Sequence, residues 1–208
     1  MMSHMKLNRC NCDDAAKAGG RYLNWWKAAL LWAVICVLAV APRHGFSQTD
    51  GDGEYRVKLA FLYNFAQFVQ WPDSAFQNAN SPLTLCVAGQ DPFQGEIEQS
   101  LRGRAVGGHP IEIRRLRATD EPRACHMIFV PAGETRLAER ILARVKGSSV
   151  LTVGETKGFA DFGGIINLTL NQNKLRFEVN LDAATQTQLK ISSRLLALAK
   201  IVKVEDSK

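Results

Sequence analysis

The sequence has few of the residue patterns that mark enzymes. It contains no G-x-S-x-G nucleophile elbow, no G-x-x-x-x-G-K-[ST] phosphate loop and no H-E-x-x-H zinc motif. After the first predicted strand, Gly89-Gln90-Asp91-Pro92 stands where a dinucleotide-binding fold would have Gly-x-Gly spacing. Beyond residue 47 only two histidines remain, His109 and His126, and each is interpreted as structural. We therefore expect a non-enzymatic protein with no catalytic residue and no cofactor.

The sequence also lacks a basic body. Its net charge of +6 comes from 26 basic and 20 acidic residues, but residues 1–47 hold six of the basic and two of the acidic ones. The rest of the chain is close to neutral, with 20 basic and 18 acidic side chains. A nucleic-acid-binding protein needs a basic surface for phosphate contacts, so the charge argues against a nucleic-acid partner.

Only one long hydrophobic run is present, and it lies in the first 47 residues. It extends from Ala28 to Ala41, follows Arg21 and Lys27, and precedes the small residues Gly45 and Ser47. A basic region, an apolar core and small residues near a cleavage site are the three parts of a secretory signal peptide. Residues 1–47 are predicted to be such a signal, cleaved after Ser47. An uncleaved anchor is the alternative, although the run is shorter than the roughly 20 residues that span a membrane.

Cysteine is scarce beyond residue 47, where only Cys86 and Cys125 remain. Both lie in apolar runs, LTLCVAG and CHMIFV, that predict short buried strands. Neighbouring strands bring cysteines within disulfide distance, and export places them in an oxidising compartment. A structural disulfide is preferred over a redox-regulated one and over a soft-metal site completed by His109 and His126. A Cys-His dipeptide with one distant cysteine lacks the paired spacing of a zinc site, so no metal is expected.

Helical and strand patterns alternate beyond an Asp/Gly-rich linker at 48–54. Residues 55–204 are predicted to form a single α/β domain, a three-layer α/β/α sandwich around a mixed, mostly parallel sheet. The predicted elements are helices over 55–71, 95–101, 135–145 and 182–204, and strands over 83–89, 111–116, 125–130, 150–153, 165–170 and 174–179. The last two strands are joined by a hairpin turn, and Asp182 is the predicted N-cap of the final helix.

Two phenylalanines are candidates for a protein contact. Phe159 and Phe162 lie in a glycine-flanked loop over residues 158–164. Aromatic side chains exposed on such a loop would anchor a partner protein. Burial of both rings against the sheet is an equally consistent interpretation.

Polar residues at two places are candidates for ligand binding. Arg176, Glu178 and Asn180 alternate along one predicted strand, so their side chains share a face. Together with Arg194 they would form either a charged pocket or a row of solvent-facing salt bridges, and the row is preferred. Asn64 lies among aromatic residues of the first helix, where a buried amide needs a hydrogen-bond partner.

Short motifs, in their order along the chain, resemble those of the YfiR-like family of periplasmic proteins. The resemblance covers about Tyr55 to Val202 and rests on this order and on the shared cysteine pair. The motifs are YRVK (55–58), FLYNF (61–65), WP (71–72), LCVAG (85–89), DPF (91–93), CHMIF (125–129), VLTVG (150–154), GFA (158–160), GGIINL (163–168), RFEVN (176–180), SSRLL (192–196) and LA (198–199).

The resemblance implies a non-enzymatic periplasmic regulator. Characterised relatives restrain an inner-membrane diguanylate cyclase by binding its periplasmic sensing domain, which lowers cyclic di-GMP, and they relax this hold when envelope redox conditions change. In those terms Cys86 and Cys125 match the pair whose disulfide keeps the regulator folded. Relatives also form homodimers. Two alternatives remain open: a periplasmic small-ligand-binding module, and an accessory sensor for another membrane partner such as a histidine kinase.

Overall fold

The computed structural model describes residues 50–172 and 174–203. The predicted signal peptide lies outside the described residues. The first element is a helix, α1, that begins at Asp50 rather than at Tyr55, so most of the segment predicted as a linker is helical. The helix ends at Phe68 because the next two residues form a short strand.

Helices separate groups of one to three strands along the chain. In chain order the elements are α1 (Asp50–Phe68), β1 (Val69–Gln70), β2 (Leu83–Ala88), α2 (Glu96–Leu101), β3 (Ala105–Val106), β4 (His109–Leu116), β5 (Met127–Val130), α3 (Thr135–Val145), β6 (Leu151–Gly154), β7 (Ile166–Asn171), β8 (Lys174–Asn180), α4 (Leu181–Thr185), β9 (Lys190–Ile191), α5 (Ser193–Leu196) and β10 (Lys200–Val202).

Eight of the strands form one mixed sheet, in the order β10-β8-β7-β6-β5-β2-β4-β3. Its central pairings, from β4 through β2, β5 and β6 to β7, are all parallel, and β10 is parallel to β8. Only the β7–β8 hairpin and the β3–β4 pair are antiparallel. The predicted mixed, mostly parallel sheet is confirmed. Strands β1 and β9 form a separate antiparallel pair.

Both faces of the central sheet are covered by apolar side chains. In β2, Leu85 and Val87 pack in a core cluster that includes residues of α1, whereas Cys86 and Ala88 pack in a second cluster that includes residues of α3. Every residue of β2, β5 and β6 is buried. Parallel strands covered on both faces have continuous apolar sequences, which is why these strands were readable from the sequence. The three-layer arrangement follows from the two clusters.

The prediction of one helix over residues 182–204 is wrong, because the segment forms the short elements α4, β9, α5 and β10. Asp182 is not the N-cap, because the Asn180 side chain accepts a hydrogen bond from the Ala183 N–H at 2.9 Å and starts the short α4. Thr187 then donates its hydroxyl to a backbone carbonyl at 2.7 Å, and the Ser192 hydroxyl caps α5. Such local bonds compete with a continuing helix. The segment instead returns to the sheet as β10.

Two glycines enclose the ring of Phe159 in the loop between β6 and β7. The ring is completely buried in the cluster on the α3 side. A Cβ atom on Gly154 would lie 2.4 Å from a carbon of this ring, and one on Gly164 would lie 2.2 Å from another. Because real Cβ atoms do not approach so closely, only glycine at both positions leaves room for the ring.

We predict that Gly154→Ala lowers the free energy of unfolding by about 1–3 kcal/mol, because the added methyl group overpacks the Phe159 ring. Gly53→Ala is the matched control, since a Cβ there would meet nothing within 4 Å. It should be neutral or slightly stabilising, because alanine favours helix. Urea unfolding measures the free energy of unfolding of the wild type and of each variant. Adding Phe159→Leu to Gly154→Ala should recover part of the loss, whereas strictly additive losses would contradict the clash.

Candidate functional site

The two cysteines form a disulfide at the centre of the sheet. Cys86 lies within β2, Cys125 lies just before β5, and their Cα atoms are 6.0 Å apart. The two strands are parallel neighbours. Both residues are buried, at 1% and 4% exposure, in the cluster that packs against α3. The pairing agrees with the disulfide interpretation, and bonded sulfurs leave no thiolates for the alternative metal site.

Both histidines are held by backbone groups. The His126 Nδ1 accepts the Thr84 N–H at 3.0 Å, so its Nε2 carries the proton and donates to the Ala75 carbonyl at 3.0 Å. The His109 Nδ1 contacts the Ser81 carbonyl at 2.7 Å. Phe76 stacks between the two imidazoles, with ring centroids 3.7 Å and 4.5 Å away. Burial lowers the pKa of His126, although the bond to Ala75 opposes this shift. The structural interpretation of both histidines agrees with these contacts.

A cavity of about 450 Å³ lies beside the disulfide, at the amino ends of β2, β5 and β6. Cys125 and His126 form part of its wall, and Arg114 and Arg123 supply positive charge. The cavity was not predictable from local sequence pattern, because its lining comes from several separate loops. The CHMIF motif was the one available signal, since it places a cysteine and a histidine at the start of a buried strand.

The carboxyl ends of β5 and β6 hold a buried ion pair. The Lys58 ammonium of α1 contacts the Glu155 carboxylate, which follows β6, and both side chains are 5% exposed. Glu155 also accepts the Tyr55 hydroxyl at 3.2 Å and the Ala132 N–H at 3.1 Å. Glu54 lies 2.6 Å from the same ammonium. These groups satisfy one another, as buried charges must.

The pKa directions agree with this arrangement. Burial disfavours the Lys58 ammonium, but hydrogen bonds to Glu155 and Glu54 outweigh burial and raise the pKa of Lys58. Burial and the charge of Glu155 raise the pKa of Tyr55. The pair was missed because 97 positions separate its members. The YRVK motif, which contains Tyr55 and Lys58, was the signal that could have pointed to it.

The loop between β6 and β7 separates the two candidate phenylalanines. Phe159 is completely buried between glycines, so its predicted role as a contact residue is wrong. Phe162 is 49% exposed and stays a candidate. The two rings have nearly identical sequence surroundings, and only the packing of the loop distinguishes them.

The structure does not assemble one pocket from the five candidate ligand-binding residues. Arg176 and Glu178 line a surface groove of about 490 Å³, and neither Asn64 nor Arg194 forms part of its wall. Asn64 is exposed, so the prediction of a buried amide there is wrong. Asn180 is buried, where its amide donates to a loop carbonyl at 2.7 Å and its oxygen caps α4.

A salt bridge fits the arrangement on β8 better than a charged pocket does. Glu178 pairs with Lys200 of the adjacent β10 at 2.9 Å and also accepts the Asn167 amide at 3.3 Å. Arg176 is exposed on the same strand. The structure thus gives one salt bridge on this strand rather than the row predicted for Arg176, Glu178, Asn180 and Arg194, because Asn180 is buried and Glu178 pairs with Lys200.

These observations define a class of protein: an α/β domain that is closed by a central disulfide and carries a buried Lys–Glu ion pair. The YfiR/HmsC-like family model matches residues 55–200. The chain therefore belongs to the YfiR/HmsC-like family. Proteins of this family are periplasmic regulators rather than enzymes. Among the described residues, no helix has the length and apolar character to cross a membrane.

Acid should destabilise the protein in part through His126. Its pKa is lowered by folding, so the unfolded chain binds a proton first and stability falls as the pH drops below about 6.5. His126→Gln should remove up to about 1.4 kcal/mol per pH unit of this dependence. Urea unfolding of the wild type and of His126→Gln at pH 8, 6 and 5 measures this pH dependence of stability. The difference in unfolding free energy between the two proteins at pH 8 gives the contribution of the lost hydrogen bonds. Parallel pH curves for the two proteins would contradict the assignment.

Removing only one member of the buried ion pair should be severe. Lys58→Met should lower the free energy of unfolding by about 3–5 kcal/mol, because it leaves the Glu155 carboxylate buried without its ammonium. The double variant Lys58→Met/Glu155→Leu should recover most of that loss, since neither charge then needs a partner. Arg56→Met is a surface control, because Arg56 lies on the same helix and its ion pair with Glu96 is largely exposed, with 67% and 42% of the two side chains accessible. A single variant as stable as the wild type would refute the pair's role.

Proposed function

We propose that the protein is a periplasmic signalling regulator that binds and restrains the periplasmic sensing domain of an inner-membrane diguanylate cyclase, and so lowers cyclic di-GMP. The family match over residues 55–200 is the observation that carries this proposal. A regulator of this kind acts by binding, and so needs a stable surface rather than a catalytic group. The arrangement of the loop between β6 and β7 supports such a surface.

Phe162 is the proposed anchor for the cyclase. The loop around Phe162 is held in place by contacts with the protein interior. Phe159 is enclosed by glycines, and the Ala160 carbonyl accepts a hydrogen bond from the buried Asn180 amide at 2.7 Å. An exposed ring on a loop that is already ordered loses little conformational entropy on binding. Aromatic residues held in this way are typical hot spots of protein interfaces.

The disulfide is the proposed redox control. It joins residues 39 positions apart, for which the chain-entropy model gives about 4 kcal/mol of stabilisation. Domains of ordinary size have a total stability of about 5–15 kcal/mol. Reduction would therefore remove a large share of the stability, loosen the α3 side of the domain and release the cyclase.

A homodimer is the proposed assembly. Among the strands of the described residues, β10 is an edge of the sheet, and Leu198, which precedes it, and Ile201 within it are exposed. Leu170, at the end of the neighbouring hairpin, is exposed as well. An unpaired edge flanked by exposed apolar side chains is suited to pairing with a second copy.

Cyclic di-GMP in a deletion strain tests the proposed function. Deletion should raise it several-fold, and the exported wild-type chain should restore it. Phe162→Ala should fail to restore it despite normal folding, because the anchor is lost. Val57→Ala is the matched control, since Val57 is similarly exposed, at 48%, but lies on α1. An unchanged level after deletion would refute the cyclase as partner, and full restoration by Phe162→Ala would refute the anchor.

A further inference from the structure

We propose that the cavity beside the disulfide admits thiolates and that Cys125 is the sulfur they attack, with Cys86 as the leaving sulfur. Cys125 would thus be a site of mixed-disulfide formation with a small periplasmic thiol. The biological role of this exchange rests on the proposed redox control, but the exchange reaction itself can be tested without a cyclase.

The two sulfurs differ in their surroundings. Cys86 lies in the middle of β2, every residue of which is buried, and between the neighbouring strands β4 and β5. It is absent from the wall of the cavity, whereas Cys125 forms part of that wall. Cys125 lies outside the strands, between the turn Pro122–Ala124 and β5. The loop side of the bond is therefore the side that an external thiol reaches.

The cavity has room for a small peptide thiol. Its volume of about 450 Å³ falls within the range of roughly 300–1,000 Å³ found for small-molecule sites. The hydroxyl residues Ser148 and Ser149 at its wall offer hydrogen bonds to a polar peptide. The cavity is thus suited to a polar thiol rather than to an apolar ligand.

The charge at the cavity favours an anionic nucleophile. Arg114 and Arg123 line it. The Arg114 guanidinium is paired with the Glu112 carboxylate at 2.9 Å, so the attraction for an anion rests mainly on Arg123. Arg114 is directly opposite Cys86 in the β2–β4 register. The Arg123 guanidinium is held in place by a hydrogen bond to the Arg144 carbonyl at 2.7 Å. Nearby guanidinium groups attract a thiolate and stabilise the thiolate that leaves.

The exchange proceeds in two steps that conserve atoms and electrons. The thiolate of the small thiol attacks the Cys125 Sγ, a new bond forms between the two sulfurs, and the Cys86–Cys125 bond breaks. Its electron pair goes to the Cys86 Sγ, which takes a proton from water. A second thiolate then attacks the sulfur of the small thiol, which releases reduced Cys125 and leaves the two small thiols joined as a disulfide.

Single-cysteine variants test the site in the exported protein. Cys86→Ser leaves Cys125 free, and Cys125→Ser leaves Cys86 free. With the anionic reagent 5,5′-dithiobis(2-nitrobenzoate), Cys125 should react about tenfold faster than Cys86. Adding Arg123→Gln to Cys86→Ser should slow this reaction several-fold but leave the reaction with neutral 4,4′-dithiodipyridine unchanged, and Arg123→Lys should preserve both rates. Equal rates for the two cysteines, or a faster Cys86, would overturn the proposal.

The oxidised wild-type protein provides a test that does not depend on the folding of variants. After exposure to reduced glutathione and an acid quench, peptide mapping by mass spectrometry should place the glutathione on Cys125. Glutathione on Cys86 would overturn the proposal, as would exchange that occurs only at the rate of global unfolding. Glutathione on Cys125 together with unchanged cyclic di-GMP in the deletion strain would refute the proposed function alone.

Discussion

The disulfide between Cys86 and Cys125 is the constraint on which the rest of the domain depends. It joins β2 to β5 where the order of the sheet reverses: the chain leaves β2 for β4 on one side and returns to β5 on the other. The loop it closes carries α2 and the two strands, β4 and β3, that lie beyond β2 in the sheet. One covalent bond therefore reinforces the pairing of β2 with β5 and closes the loop that carries β3 and β4.

The two ends of the central strands are stabilised in different ways. At the carboxyl ends, Lys58 and Glu155 fasten α1 to the loop after β6. At the amino ends, His126 bonds to backbone groups through both ring nitrogens, and Phe76 stacks on it. Each set of polar groups is satisfied internally. The surfaces proposed for partners are the cavity beside Cys125, the ring of Phe162 and the outer edge at β10.

The parts of the fold that follow from local pattern were predictable. Helix α3 has the predicted bounds of 135–145, because its apolar residues repeat at helical spacing, and the central strands follow from their continuous apolar runs. The prediction of a long C-terminal helix failed because hydroxyl and amide side chains there form hydrogen bonds with the nearby backbone. The ion pair and the cavity were not predicted, since each joins residues that only the folded chain brings together.

Equilibrium unfolding of the oxidised and the fully reduced wild-type protein tests the central role of the disulfide most directly. The bond should contribute about 4 kcal/mol by the chain-entropy model. For a domain of this size that corresponds to a fall in Tm of roughly 8–16 °C on reduction. A reduced protein with the same Tm and the same urea midpoint as the oxidised protein would contradict the account, because β2 and β5 would then hold together equally well without their covalent link.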